Sequence, residues 1–240
     1  VPGRVPGAVP GAVSVRRALT APWGPGRRFE WPLRLEETDA ASRGLALGAH
    51  TVAVRSVRRG DEGAWRRLRL AEDCRLAPWE ATLPPGAAEG LRSFRSYVRQ
   101  QGRAARRGES MALVVEADGA LAGQVTVAPI SWGALCSASL GYWIGSAWEG
   151  RGVMSLAVAM VLDHLLGPEV GLHRVEVSVR PENARSLALC RRLGLREEGL
   201  RRSYMHIDGQ WADHVSFAVV AEETAQESGF VMRLGLKKRM

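Results

Sequence analysis

Apolar and polar positions alternate over residues 51–57, 111–116, 120–130 and 136–145, and each run predicts a strand. The second and third are joined by Ala117-Asp118-Gly119, whose Asp-Gly pair suits a tight hairpin turn. Residues 173–179, 196–207 and 211–220 read the same way, the last two meeting at Asp208-Gly209. Between them lie helical patterns over 61–70 and 91–106, and a long apolar one from about Ser155 carrying Leu156, Val158, Ala159, Val161, Leu162 and Leu165. A shorter helix is expected over 184–193, capped by Asn183 and stopped by Gly194. Residues 77–90 form a Pro/Gly-rich loop. The order of elements predicts an α+β fold: a mixed, mostly antiparallel sheet flanked by helices, with one parallel strand–helix–strand unit.

The ends read differently. Residues 1–32 repeat Val-Pro-Gly and hold almost nothing to bury, so a disordered extension is expected, without the unbroken apolar run of a secretory signal. Order is expected to begin near Trp31 to Leu35. Residues 51–221 form the folded domain, and 222–240 a polar, then basic, loosely ordered tail. At 240 residues with 46% hydrophobic content, the chain has ample material for one core. No apolar run reaches the roughly 18 residues of a membrane span. The net charge of +8 comes almost wholly from arginine, lysine occurring only at Lys237 and Lys238. Such a surface favours anionic partners, a nucleotide-bearing cofactor or an RNA-rich particle, yet no nucleic-acid motif is present. Cys74, Cys136 and Cys190 suggest no disulfide framework, which fits a reducing cytoplasm, and the five histidines show no metal-ligand spacing.

Candidate chemistry concentrates at Glu149-Gly150-Arg151-Gly152-Val153-Met154, between a strand and the long apolar helix. A Gly-x-Gly turn opening a helix leaves backbone N–H groups aimed at one spot, which suits a phosphate; Arg151 adds a cation. The same turn also serves as a plain connection, and both readings stand on the residues alone.

Three stretches then carry a family resemblance. Trp148-Glu149-Gly150-Arg151-Gly152-Val153-Met154, Arg180-Pro181-Glu182-Asn183-Ala184-Arg185-Ser186 with Arg192-Leu193-Gly194-Leu195, and Tyr204 to His214 resemble, in order and spacing, the GCN5-related N-acetyltransferase (GNAT) family, and within it the RimJ/RimL branch. The resemblance implies a sheet splayed at an acetyl-CoA site; no metal site is expected, given the histidine spacing. The cofactor would be held by Tyr142, Trp143 and Ile144 through their backbone, by Glu149, Gly150, Arg151, Gly152, Val153 and Met154 at the pyrophosphate, and by Asn183 and Ser186. Glu149 departs from the usual Gln or Arg and sets an acid beside the pyrophosphate. Cys190 stands where relatives often carry a Tyr general acid.

Acetyl transfer to an amine needs a weak base and a proton for the leaving thiolate. Glu176 and Ser178, on one strand face, are the candidates for holding or relaying the first proton. Cys190 and Tyr204 are the candidates for supplying the second. Trp79, Glu80 and His206 are expected at the acceptor entrance, with Asp213 and His214 tying the closing hairpin. The resemblance implies a cytoplasmic enzyme, monomer or homodimer, acting on the α-amino group of an Ala- or Ser-starting ribosomal protein. A small amine acceptor and a non-catalytic acyl-CoA-binding module are the alternatives. Gly152→Asp is expected to abolish CoA binding without unfolding the domain.

Overall fold

The structure is a computed structural model that describes residues 30–87, 93–225 and 229–236. Eight strands form one sheet in the order β1-β2-β3-β4-β5-β6-β8-β7. They are β1 (Arg34–Glu37), β2 (Val52–Ser56), β3 (Met111–Ala117), β4 (Ala120–Ser131), β5 (Ser137–Ile144), β6 (Arg174–Val179), β7 (Arg196–Ile207) and β8 (Gln210–Val220). All neighbours are antiparallel except β5 and β6. The expected mixed, mostly antiparallel sheet is therefore present. Both Asp-Gly turns have positive φ at each residue, 48° and 79° at Asp118 and Gly119, 47° and 81° at Asp208 and Gly209. That geometry matches the right-handed twist of the strands they join.

Helices cover both faces. On one side lie α1 (Glu62–Leu76) and α2 (Phe94–Arg106), where Trp65, Phe94 and Tyr97 pack over Val57, Ala112 and Val114. On the other lies α3 (Val153–Leu166), with α4 (Ala184–Leu193) beside it. Helix α3 begins two residues before the expected Ser155, and its run from Val153 to Leu162 is wholly buried. A helix apolar on every side needs cover on every side. The sheet supplies one wall, and the other comes from two segments without a clear periodic signal. The loop after β1 buries Ala40, Leu45, Ala46 and Ala49, all 0% exposed. Beyond the short helix α5 (Ala221–Ala225), helix α6 (Gly229–Leu236) buries Phe230 and Leu234. Asp163 of α3 holds the start of α6 by accepting from the Phe230 and Val231 N–H groups at 2.7 and 3.1 Å.

Residues 229–236 are thus a docked helix rather than loose tail, because their apolar pair completes the cover of α3. Trp31 likewise packs against the core, inside the segment expected to be disordered; residues 1–29 lie outside the described residues, as do 88–92, 226–228 and 237–240. Helix α1 runs six residues beyond the expected Leu70, to Leu76. Its start is fixed by a buried network in which Arg55 bonds Asp61 and Glu116, each at 2.7 Å, and Arg34 reaches Glu116 at 3.0 Å. That network sets the direction of α1, whose far end carries Arg75 to the site. Among the described residues no helix is long and apolar enough to cross a membrane.

Candidate functional site

Strands β5 and β6 pair in parallel only through Ser137, Ala138 and Ser139, facing Arg174, Val175 and Glu176. From Leu140 onward β5 stays bonded to β4 alone, so one edge of its backbone has no strand partner. Apart from the Ile144 carbonyl, which accepts from Arg75, backbone groups on that edge are placed to take an extended ligand as an added strand. The splay opens into a cavity of about 1080 Å³. Its walls include Tyr142, Trp143 and Ile144 of β5, Glu149, Gly150, Gly152 and Met154 at the start of α3, and Asn183 and Ser186 at the start of α4.

At the glycine turn, Gly152 is the N-cap of α3 with φ 88° and no side-chain cap. The first N–H groups of α3 consequently face the cavity side without an intrahelical acceptor. The two glycines do different work. A Cβ at Gly150 would meet nothing within 4 Å, whereas one at Gly152 would lie 2.5 Å from the Leu45 carbonyl oxygen. Gly152 is therefore required by the fold itself, which revises the expectation that Gly152→Asp leaves the domain folded. Arg151 does not line the cavity; its guanidinium lies 5.5 Å from the centre of the Trp148 ring and its carbonyl accepts from Leu47 N–H at 2.7 Å. The Val153 side chain is wholly buried, leaving only its backbone for a ligand.

Glu149 is not an isolated acid. Arg75 contacts its carboxylate at 3.0 Å and Arg185 at 2.5 Å. Arg75 also pairs with Glu72 at 2.6 Å and donates to the Ile144 carbonyl, while Glu72 accepts from the Ser146 N–H and hydroxyl at 2.8 and 2.7 Å. Burial would raise the Glu72 pKa, but the Ser146 and Arg75 hydrogen bonds more than offset it and the group titrates below its usual range. Sequence reasoning missed Glu72 and Arg75, which sit on a helix with no local signal for this site. Arg185 carried a clue: a cation in the first turn of a helix opposes the helix dipole and calls for a nearby anion.

Asn183 caps α4 as expected, its Oδ1 accepting from Ser186 N–H at 3.1 Å. The Tyr142 hydroxyl lies 2.7 Å from Ser186 Oγ and 3.8 Å from Cys190 Sγ. Cys190 is 0% exposed and outside the cavity wall, so it is small core filler behind Tyr142 rather than a proton donor at the surface of the site. Burial pushes its thiol up to about 11 and holds the Tyr142 hydroxyl well above its ordinary value.

The remaining expected catalytic residues are not brought to the cavity wall. Glu176 is clasped by Arg174 and Arg201, each at 2.8 Å. Burial would raise its pKa, yet the two arginines outweigh that and lower it, leaving a poor base. Ser178 faces Ser216 across the β6–β8 ladder. Tyr204 accepts from Arg201 at 3.0 Å at an exposed position on β7. His206 is buried, with Nδ1 2.8 Å from Thr82 Oγ1, and pins the 77–82 loop to the β7–β8 hairpin instead of lining an entrance. Asp213 accepts from Ser203 N–H at 2.7 Å, and buried His214 bonds the Ala212 carbonyl at 3.0 Å, both serving the hairpin as expected. Trp79 and Glu80 do line the cavity; the Arg180 guanidinium lies 5.8 Å from the Trp79 ring centre, and Glu80 pairs with Arg69.

Comparison with known proteins agrees with this geometry. Residues 51–196 match the family model described as the acetyltransferase (GNAT) domain. The probable N-acetyltransferase YjcK of Bacillus subtilis is 36% identical over 109 residues, 45% of this chain and 60% of that protein. The ribosomal protein uS5-alanine N-acetyltransferase of Escherichia coli is 38% identical over 84 residues, 35% of this chain and 43% of that protein. The chain thus spans about half the length of the curated relatives it matches. Among solved structures, Mycobacterium smegmatis RimJ in complex with CoA-disulfide superposes with a TM-score of 0.76 at 36% identity, covering 89% of this chain and 98% of that one.

Proposed function

The chain belongs to the acetyltransferase (GNAT) family, and from that premise we propose that it transfers acetyl from acetyl-CoA directly to the N-terminal α-amino group of a protein in the cytoplasm, a ribosomal protein beginning with Ala or Ser. The observation that carries the reading is one cavity joining the unpaired edge of β5 to the N-terminus of α3. An extended pantetheine arm suits the first and a pyrophosphate the second. The ribosomal-protein acceptor class follows the name of the Escherichia coli relative.

Backbone N–H groups of Gly150 and of the first turn of α3 bind phosphate, and the β5 edge at Tyr142 and Trp143, which has no strand partner, orients the thioester. The incoming amine forms a C–N bond as the C–S bond breaks. A protein α-amino group has a pKa of about 7.7–8.0, so part of it is already neutral and a water relay suffices as base. Glu176, salt-bridged, is not needed. The leaving thiolate requires a proton. Tyr142 keeps its own at neutral pH and lines the cavity, so it replaces Cys190 and Tyr204 as the donor, with Ser186 Oγ at 2.7 Å steadying the hydroxyl. A polyamine or other polycationic acceptor fits poorly: Glu80, Glu149 and Glu182 in the cavity wall are each paired with arginine.

The test is thiol release from acetyl-CoA in the presence of peptides beginning Ala, Ser or Met, with mass spectrometry of the peptide. Release with Ala and Ser peptides and a single added acetyl group at the N-terminus is expected. Turnover confined to small amines would overturn the acceptor assignment.

A further inference from the structure

We propose that Glu149 is a built-in competitor for the phosphates of coenzyme A: it occupies Arg185 in the cradle until a phosphate draws that arginine away, and it thereby weakens the enzyme's hold on the coenzyme. The inference rests on the acetyl-CoA reading of the cavity.

The two arginines on Glu149 are held in different ways. Arg75 has independent anchors in Glu72 and the Ile144 carbonyl, so it keeps its place whatever Glu149 does. The Arg185 side chain is 78% exposed, and Glu149 is its carboxylate partner among the described residues. Arg185 also sits in the first turn of α4, where the helix dipole disfavours a cation. Both residues line the cavity, and Glu149 immediately precedes Gly150 at the phosphate-binding turn.

With the arginine largely in solvent, although the Glu149 side chain is only 21% exposed, the pair is screened from one side and Arg185 is free to exchange partners. The two phosphates of a pyrophosphate together carry more charge than one carboxylate and offer oxygens that match a guanidinium fork. A ligand phosphate at the N-terminus of α3 therefore takes Arg185 over and meets the Glu149 carboxylate, already partly neutralised by Arg75, at close range. Repulsion between the two anions remains after the exchange. Glu149 thus lowers affinity for the phosphate-bearing part of the ligand alone, which favours release of the coenzyme after transfer. Removing a salt-bridge partner is expected to tighten binding, the opposite of what a purely structural ion pair predicts.

The experiment is isothermal titration of the full chain with coenzyme A and with pantetheine, which shares the arm and lacks the phosphates. Glu149→Gln keeps the shape and removes the charge. Its affinity for coenzyme A is expected to rise roughly three- to tenfold, the scale of one partly screened charge pair at contact range. Pantetheine binding should not change. Arg185→Gln is expected to weaken coenzyme A by a similar factor and again to leave pantetheine alone. Equal or weaker binding of coenzyme A by folded Glu149→Gln overturns the proposal. If circular dichroism shows that variant misfolded, unchanged coenzyme A affinity in Arg185→Gln overturns it instead, and a loss confined to coenzyme A supports it. Failure of the unsubstituted chain to bind coenzyme A would instead remove the acetyl-CoA reading itself.

Discussion

Replacing Gly152 by alanine places a Cβ 2.5 Å from the Leu45 carbonyl oxygen, in a residue whose φ is 88°. The left-handed backbone alone costs an L-residue about 1–2 kcal/mol. Forcing the Leu45 backbone aside adds about 1–3 kcal/mol, the usual range for overpacking a close contact. Gly152→Ala is therefore expected to lose about 2–5 kcal/mol. Gly150→Ala has a similar φ of 71° but open space around its Cβ, so only the backbone cost of about 1–2 kcal/mol applies. With a urea slope of about 2 kcal/mol per molar, the midpoint should fall by roughly 1–2.5 M for Gly152→Ala and by less than about 1 M for Gly150→Ala. Urea unfolding followed by tryptophan fluorescence measures both. The ligand test runs the other way: Gly150→Ala should remain folded, adds a methyl to a turn that lines the cavity, and should lose coenzyme A affinity. Equal midpoints for the two variants would refute the packing argument. Unchanged coenzyme A affinity in Gly150→Ala would refute the close approach of ligand to that turn.

Phe230→Ala should destabilise the protein by about 3–5 kcal/mol, because Phe230 is 0% exposed against α3; a loss below about 1 kcal/mol in thermal or urea unfolding would show that α6 is not part of the core. Acid stability should depend on Glu116. Burial would raise its pKa, but Arg55 and Arg34 outweigh that and the folded value lies below the unfolded one. Its contribution is therefore present above the unfolded pKa of about 4.3 and lost as pH falls through the folded value. Glu116→Gln should flatten the fall in unfolding free energy between pH 6 and pH 3, and an unaltered slope would refute the pairing. Cys190, inaccessible and with its thiol near 11, should resist maleimide at pH 8 in the native protein while exposed Cys74 reacts; stoichiometric native labelling of Cys190 would place it at the cavity surface after all.

Much of the fold was legible because its signals are local. Alternation marked β2 through β8 within a residue or two at most ends, though β1 was read only as the onset of order. The Asp-Gly pairs named their turns, and Asn183 with Gly194 bounded α4 at the residues observed. The glycine turn before α3 was legible for the same reason, since a left-handed N-cap without a side chain is written in the residue itself.

What escaped the sequence depends on which distant surfaces meet. Residues 38–50 and 229–236 have weak periodicity of their own and become ordered by covering a largely apolar helix. Glu176 and Tyr204 carry the right chemistry for proton transfer, but Arg174 and Arg201 take them up in the folded sheet. Cys190 shows as a helical position in the sequence, and only packing puts it behind Tyr142. Glu149 marks the difference most clearly. The sequence by itself determined that an acid stands next to the Gly-x-Gly turn. Tertiary structure decided its charge environment, because α1 and α4 bring Arg75 and Arg185 to it from remote parts of the chain. Propensity and periodicity act over a few residues, whereas Coulomb forces and burial act on whatever the fold places within a few ångströms.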